Sequence, residues 1–71
     1  MNKEKRTERE LVDLIMAEVR KCPECEHVIG AAIIRPVGLN WDAAFTVHGN
    51  MVACEQAFEI ARGLRARFDA I

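Results

Sequence analysis

Apolar and polar residues alternate along the stretch 28–47, a pattern typical of a β-hairpin. Pro36, Gly38 and Asn40 supply turn residues between the two strands. If Arg35 pairs with Asn40 across the turn, one face of the hairpin is wholly apolar. This predicted core face consists of Val28, Gly30, Ala32, Ile34, Trp41, Ala43, Phe45 and Val47.

The opposite face of the predicted hairpin is only half polar, because Ile29, Ala31 and Ile33 lie there beside Asp42, Ala44 and Thr46. A slip of one residue would bury Asp42, so we expect this carboxylate to fix the register. An isolated two-stranded sheet is marginally stable in water. We therefore expect a second surface to cover or extend the sheet, with Ile29, Ala31, Ile33 and Thr46 as candidate interface residues.

A helix is predicted on each side of the hairpin. Thr7 and Glu10 fit a capping box, followed by an amphipathic pattern that Pro23 should end near Lys21 or Cys22. Residues 1–6 are charged, and we expect them to fray. The second helix is predicted from Met51 to the last residue, with Asn50 as its N-cap. Its apolar stripe is Ala53, Ala57, Ile60, Ala61, Leu64, Phe68 and Ile71.

These elements predict a single α+β domain over residues 1–71, with the order helix, strand, strand, helix. The expected architecture is a two-layer αββα fold in which both helices cover one face of the hairpin. A domain of 71 residues buries a small core. We therefore expect a homodimer, formed either by edge pairing into a four-stranded sheet or by contact of the half-apolar faces.

Composition narrows the function classes. The 10 basic and 11 acidic residues nearly balance, which disfavours binding to nucleic acid or an anionic membrane. Three cysteines are an odd number, and no long apolar run or signal-like start occurs, so we predict a cytoplasmic location. No glycine-rich phosphate loop, acid and base pair or Ser/His/Asp set is present, so we expect neither an enzyme nor a bound cofactor.

Cys22, Pro23, Glu24 and Cys25 form the most conspicuous motif, a C-x-x-C pair. Dithiol exchange is disfavoured, because such a pair is activated at a helix N-terminus and this one follows a helix. Zinc is the alternative, since two thiolates at this spacing suit a tetrahedral ion. The remaining ligands would come from His27, His48 and Cys54. The favoured interpretation is structural: the proline ends the helix and Cys25 is a small buried residue.

Three further features have both a functional and a structural interpretation. His48 could activate the Cys54 thiol, but we expect Cys54 to be packed and His48 to face solvent. Trp41 could anchor a partner, but we expect it to cover the core opposite Ile34. Arg62, Arg65, Arg67 and the basic residues before the first helix could bind RNA, and the element order resembles part of a double-stranded-RNA-binding domain. Interspersed glutamates and the missing third strand disfavour that function.

Pro23-Glu24-Cys25 before the first strand and Asn40-Trp41-Asp42 at the start of the second resemble segments of a group of short uncharacterised bacterial proteins. The resemblance spans nearly the whole chain and implies a free-standing bacterial domain, but no activity, cofactor or site residue. Our leading hypothesis is therefore a non-catalytic module that binds a second copy or another protein. A small zinc protein using Cys22, Cys25 and a histidine or Cys54 is the second, and a weak nucleic-acid binder is the third.

Overall fold

Two helices and two pairs of strands make up the part of the protein that the structure describes. The computed structural model describes residues 3–49 and 54–71. In chain order the elements are β1 (Glu4–Arg6), α1 (Glu8–Val19), a 3-10 turn (Pro23–Cys25), β2 (Val28–Ile34), β3 (Asp42–Val47), α2 (Glu55–Arg67) and β4 (Phe68–Ala70). β2 and β3 form an antiparallel hairpin, and β1 pairs in parallel with β4. The α+β class is confirmed, while the two short terminal strands were not predicted.

Helix α1 begins at the predicted capping box. The Thr7 backbone N–H donates to Glu10 Oε1 at 3.1 Å, and the Glu10 backbone N–H donates to Thr7 Oγ1 at 3.1 Å. The hydrogen bond from the Thr7 backbone is the main cause of a lowered pKa at Glu10, and the Thr7 hydroxyl and the charge of Arg6 add to it. The helix ends at Val19 and buries the apolar residues Leu11, Ile15, Met16 and Val19.

The predicted hairpin register holds at Val28↔Val47 but is shifted by one residue from Gly30 to Ile34, so the expectation that Asp42 fixes the register is wrong. The faces predicted for the β3 side chains are correct. A β-bulge at Ile29 adds one residue to β2 between the pairs Val28↔Val47 and Gly30↔Thr46. Beyond the bulge, every β2 side chain changes face, because side chains alternate with a period of two residues. Ala31 and Ile33 consequently pack against the core, and Ala32 and Ile34 are exposed. On β3 and just before it, the predicted core residues Trp41, Ala43, Phe45 and Val47 do pack in the core.

Helix α2 is shorter than predicted at its carboxyl end. It starts at Glu55 with Cys54 as N-cap, and the predicted start at Asn50 and Met51 lies outside the described residues. Ala57, Ala61 and Leu64 are buried as the apolar stripe predicted. Phe68 has extended backbone angles, with φ −130° and ψ 146°, so the chain leaves the helix there. The extension of the helix to Ile71 was therefore a wrong prediction.

The first and last described segments form a small parallel sheet. Glu4, Lys5 and Arg6 lie opposite Phe68, Asp69 and Ala70, and the Ile71 N–H donates to the Arg6 carbonyl at 2.9 Å. Residues 4–6 of the segment that we expected to fray thus form strand β1. Backbone pairing orders this charged segment, and a pattern of side chains cannot reveal such pairing.

The hairpin turn holds the C-terminal strand in place. Trp41 is 1% exposed, and its indole N–H donates to the Phe68 carbonyl at 3.0 Å. Asn40 Oδ1 accepts the Ala70 N–H at 2.5 Å. α1 contacts β2 and α2, and α2 also contacts β3, so one core joins both helices to the hairpin. None of the helices that the structure describes is long and apolar enough to span a membrane.

Candidate functional site

The hairpin surface turned away from the core is the main candidate site. We define the open hairpin face as Ala32 and Ile34 on β2 with Ala44 and Thr46 on β3, all of which are exposed. Ile34 is 43% exposed, and Ile29 in the bulge is 59% exposed. Among the described strands none extends this two-stranded sheet, so its aliphatic face stays open.

The four predicted interface residues divide into two pairs. Ile29 and Thr46 are exposed. Ala31 and Ile33 instead pack against the core, because the bulge turns them inward. Ile34, which the predicted register assigned to the core, takes their place on the open hairpin face. The open hairpin face combines aliphatic and polar side chains, as expected, but Ala32 and Ile34 lie there in place of Ala31 and Ile33.

Gly30 has no structural role that the single chain reveals. A Cβ atom added at Gly30 would lie 3.6 Å from the Thr46 Cβ, an ordinary contact, and its φ is not positive. Glycine within a strand costs roughly 0.5–1 kcal/mol relative to alanine, because it loses more conformational freedom on folding. The missing side chain therefore leaves accessible backbone at the edge of the open hairpin face without any benefit to the isolated fold.

The carboxyl end of β2 is fixed by one arginine. Arg35 Nε donates to Glu8 Oε2 at 3.0 Å, and Arg35 Nη2 donates to the Ile71 carbonyl at 2.6 Å. A third hydrogen bond, 3.3 Å long, runs from Nη1 to the carbonyl of Asn40. These contacts join the hairpin to α1 and to the chain end, so the backbone that carries Ile34 is held in position.

The cysteines are arranged differently from every predicted site. Cys25 and Cys54 form a disulfide with their Cα atoms 5.6 Å apart, and Cys22 is a free, partly buried thiol. The two bonded sulfurs cannot serve as zinc thiolates in this state. Disulfides are rare in a reducing cytosol, so this pairing weighs against the predicted cytoplasmic location. Cys25 is buried, as expected, and Cys54 packs against the core, as expected. The spacing of the cysteines in the sequence does not predict that these two pair.

The two histidines lie close together at the base of the hairpin. The His48 backbone N–H donates to the His27 carbonyl at 2.9 Å, and both residues line a surface groove with Glu24 and Glu26. Within residues 3–49 and 54–71, no group of three or more histidine, cysteine or acidic side chains is placed to hold a metal ion. The structure therefore does not bring His48 together with the three cysteines as a zinc site.

The arginines of α2 are engaged with neighbouring side chains. Arg62 lies 3.4 Å from Glu59 and Arg65 lies 3.6 Å from Asp42. The Arg67 guanidinium lies 5.1 Å from the centroid of the Phe68 ring. Partnered cations of this kind form a mixed surface rather than the concentrated positive charge that phosphate binding needs.

Comparisons of the chain with models of protein families, with curated proteins and with solved structures found no match. The function is therefore argued from the geometry of the open hairpin face and of the cysteines.

Proposed function

We propose that the protein is a self-associating module in which β2 of one chain pairs with β2 of a second copy. The observation that carries this proposal is the outer edge of β2. Among the strands that the structure describes, β2 pairs only with β3, so its other edge has no strand partner. In the proposed dimer, the helices cover one face of a continuous four-stranded sheet.

The composition of β2 supports pairing through this edge. Natural edge strands are protected by charged side chains or proline, and β2 contains neither in its seven residues. The bulge at Ile29 interrupts only the start of the strand, which leaves the regular run Gly30–Ile34. The edge of β3 is less suitable, because the carboxylate of Asp42 lies at its start, whereas β2 has no charged residue.

Gly30 favours a second copy over an unrelated partner. A two-fold axis through Ala32 in an antiparallel pair places Gly30 of each chain opposite Ile34 of the other. An exposed isoleucine then covers the backbone that the glycine leaves accessible, and this occurs twice in the symmetric pair. The same strand thus supplies both the side chain and the space that it fills.

The matched variants Ile34→Asp and Val37→Asp test the proposal. Both replace an exposed aliphatic residue with a charge, but only Ile34 lies on β2, whereas Val37 lies fully exposed in the turn. Light scattering after size exclusion should give twice the 8.0 kDa chain mass for the wild type and for Val37→Asp, and the single-chain mass for Ile34→Asp. A wild type that stays monomeric at millimolar concentration would refute self-association.

Gly30→Val tests the arrangement around the two-fold axis. A Cβ at this position makes only ordinary contacts in the single chain, and circular dichroism checks that the valine variant keeps the fold. The larger side chain should compete with Ile34 of the second copy and raise the dissociation constant of the dimer. An unchanged dissociation constant would exclude the axis through Ala32 and leave dimerisation through another surface.

A further inference from the structure

All three cysteines of the chain lie in one region of the fold. Cys22 and Cys25 line the same surface groove, together with Val19 and Val28. Cys25 is 2% exposed and bonded to Cys54, whereas Cys22 is free and partly exposed. A free, partly exposed thiol thus lines the same groove as a disulfide whose Cys25 side is shielded from solvent.

The 3-10 turn aligns the first two cysteines. Cys22 is the N-cap of the turn Pro23–Cys25, and the Cys25 N–H donates to the Cys22 carbonyl at 3.0 Å. Pro23 fixes the first position of the turn, and the hydrogen bond keeps Cys22 one turn before Cys25 along the same groove.

We propose that Cys22 is an exchange thiol through which the buried Cys25–Cys54 disulfide is opened. The Cys22 thiolate, having released its proton to solvent, attacks Cys25 Sγ. The Cys22–Cys25 bond forms as the Cys25–Cys54 bond breaks, and the electron pair of the broken bond leaves with Cys54 as a thiolate. The number of disulfides is unchanged, so no outside oxidant is needed. A small external thiol then reduces the more accessible Cys22–Cys25 bond.

The position of Cys54 favours this exchange. Cys54 is the N-cap of α2, where the helix dipole and the free backbone N–H groups stabilise a thiolate. A stabilised thiolate is the better leaving group in thiol–disulfide exchange. The C-x-x-C pair follows a helix, and a redox role was disfavoured for that reason. In the structure, the cysteine that lies at a helix N-terminus is the third one, Cys54. Opening the bond releases the start of α2 from the 3-10 turn.

Mapping of the disulfides in the oxidised protein tests the exchange directly. Cleavage after Glu24 and Glu26 puts each cysteine on its own peptide, so the two disulfide isomers have different masses. Each oxidised chain has one free thiol, so after incubation at pH 8 with limiting N-ethylmaleimide the labelled wild-type chains should divide between those modified at Cys22 and those modified at Cys54. Label on Cys22 alone would overturn the proposal, because it would mean that Cys54 is never released.

The variant Cys22→Ser provides the second measurement. It keeps the Cys25–Cys54 disulfide but lacks the attacking thiol, so reduction by glutathione should be several-fold slower than in the wild type. Equal rates in the two proteins would contradict the exchange role. Circular dichroism of the oxidised variant checks that it keeps the fold. The disulfide mapping of the wild type tests the exchange without relying on the variant. Neither readout depends on self-association through β2.

Discussion

At the scale of single residues, Trp41 explains more of the fold than any other side chain. Its burial was predicted from the alternation of β3, but its position opposite Ile34 was wrong, since Ile34 pairs with Asp42. The indole N–H bonds the carbonyl of Phe68, the residue at which α2 ends. Buried indole N–H groups need such an acceptor, so Trp41 favours extended backbone at Phe68.

The N-cap of α1 gives a prediction for the dependence of stability on pH. The pKa of Glu10 is lowered by the hydrogen bonds from Thr7, so its charged form stabilises the folded protein. This contribution is present above the usual glutamate pKa of about 4.3 and is lost as the pH falls through the lowered pKa. Urea unfolding should show wild type more stable than Glu10→Gln at pH 7, with the difference vanishing in acid.

Glu26→Gln is the control for this measurement, because it removes the same charge away from the N-cap of α1. A difference between the wild type and Glu10→Gln that stays constant from pH 7 to strong acid would contradict the role of the charged carboxylate.

At the scale of elements, the sequence predicted α1 and β3 well and β2 only in part. The Thr7 cap and the apolar spacing of α1 are local signals, and Asp42 fixed the alternation of β3 by the cost of burying a charge. The bulge at Ile29 adds a residue without a side-chain signature. The spacing of apolar residues likewise extended the predicted α2 past Phe68, where the chain instead pairs with β1 and accepts contacts from Trp41 and Asn40.

Gly63 in α2 offers a stabilising substitution. It is exposed, and a Cβ added there would meet no atom within 4 Å. Gly63→Ala should raise the free energy of unfolding by about 1 kcal/mol, because alanine is the better helix former. Gly38→Ala is the matched control: its φ of +89° strains any other residue, so the same change should lower stability by about 1 kcal/mol. Denaturant unfolding measures both, and equal effects would contradict this account.

At the scale of the whole molecule, the terminal sheet and the disulfide are two links between segments that the sequence did not predict. Both link parts of the chain distant in sequence, and neither follows from hydrophobic periodicity. The parallel pairing of β1 with β4 uses backbone groups alone. The disulfide joins the residue that ends the 3-10 turn to the N-cap of α2, a proximity set by the packing of α1, α2 and the hairpin. The core residues of α1, β3 and most of α2 could be predicted, but those of β2 beyond the bulge and these two links could not.

The open hairpin face is the feature that the isolated chain leaves unexplained. The core side of the hairpin is covered, yet β2 keeps an uncharged edge, exposed Ile29 and Ile34, and a glycine that the monomer does not require. The proposed pairing with a second copy uses the uncharged edge, Ile34 and Gly30 together, and it would relieve the marginal stability expected of a two-stranded sheet.

The most direct test is an isotope-filtered NMR measurement on a mixture of labelled and unlabelled chains, which detects only contacts between different copies. The proposed dimer predicts intermolecular contacts centred on Ala32, with Gly30 of one chain near Ile34 of the other. Intermolecular contacts confined to other surfaces, or none at a concentration where the protein is dimeric by mass, would contradict pairing through β2.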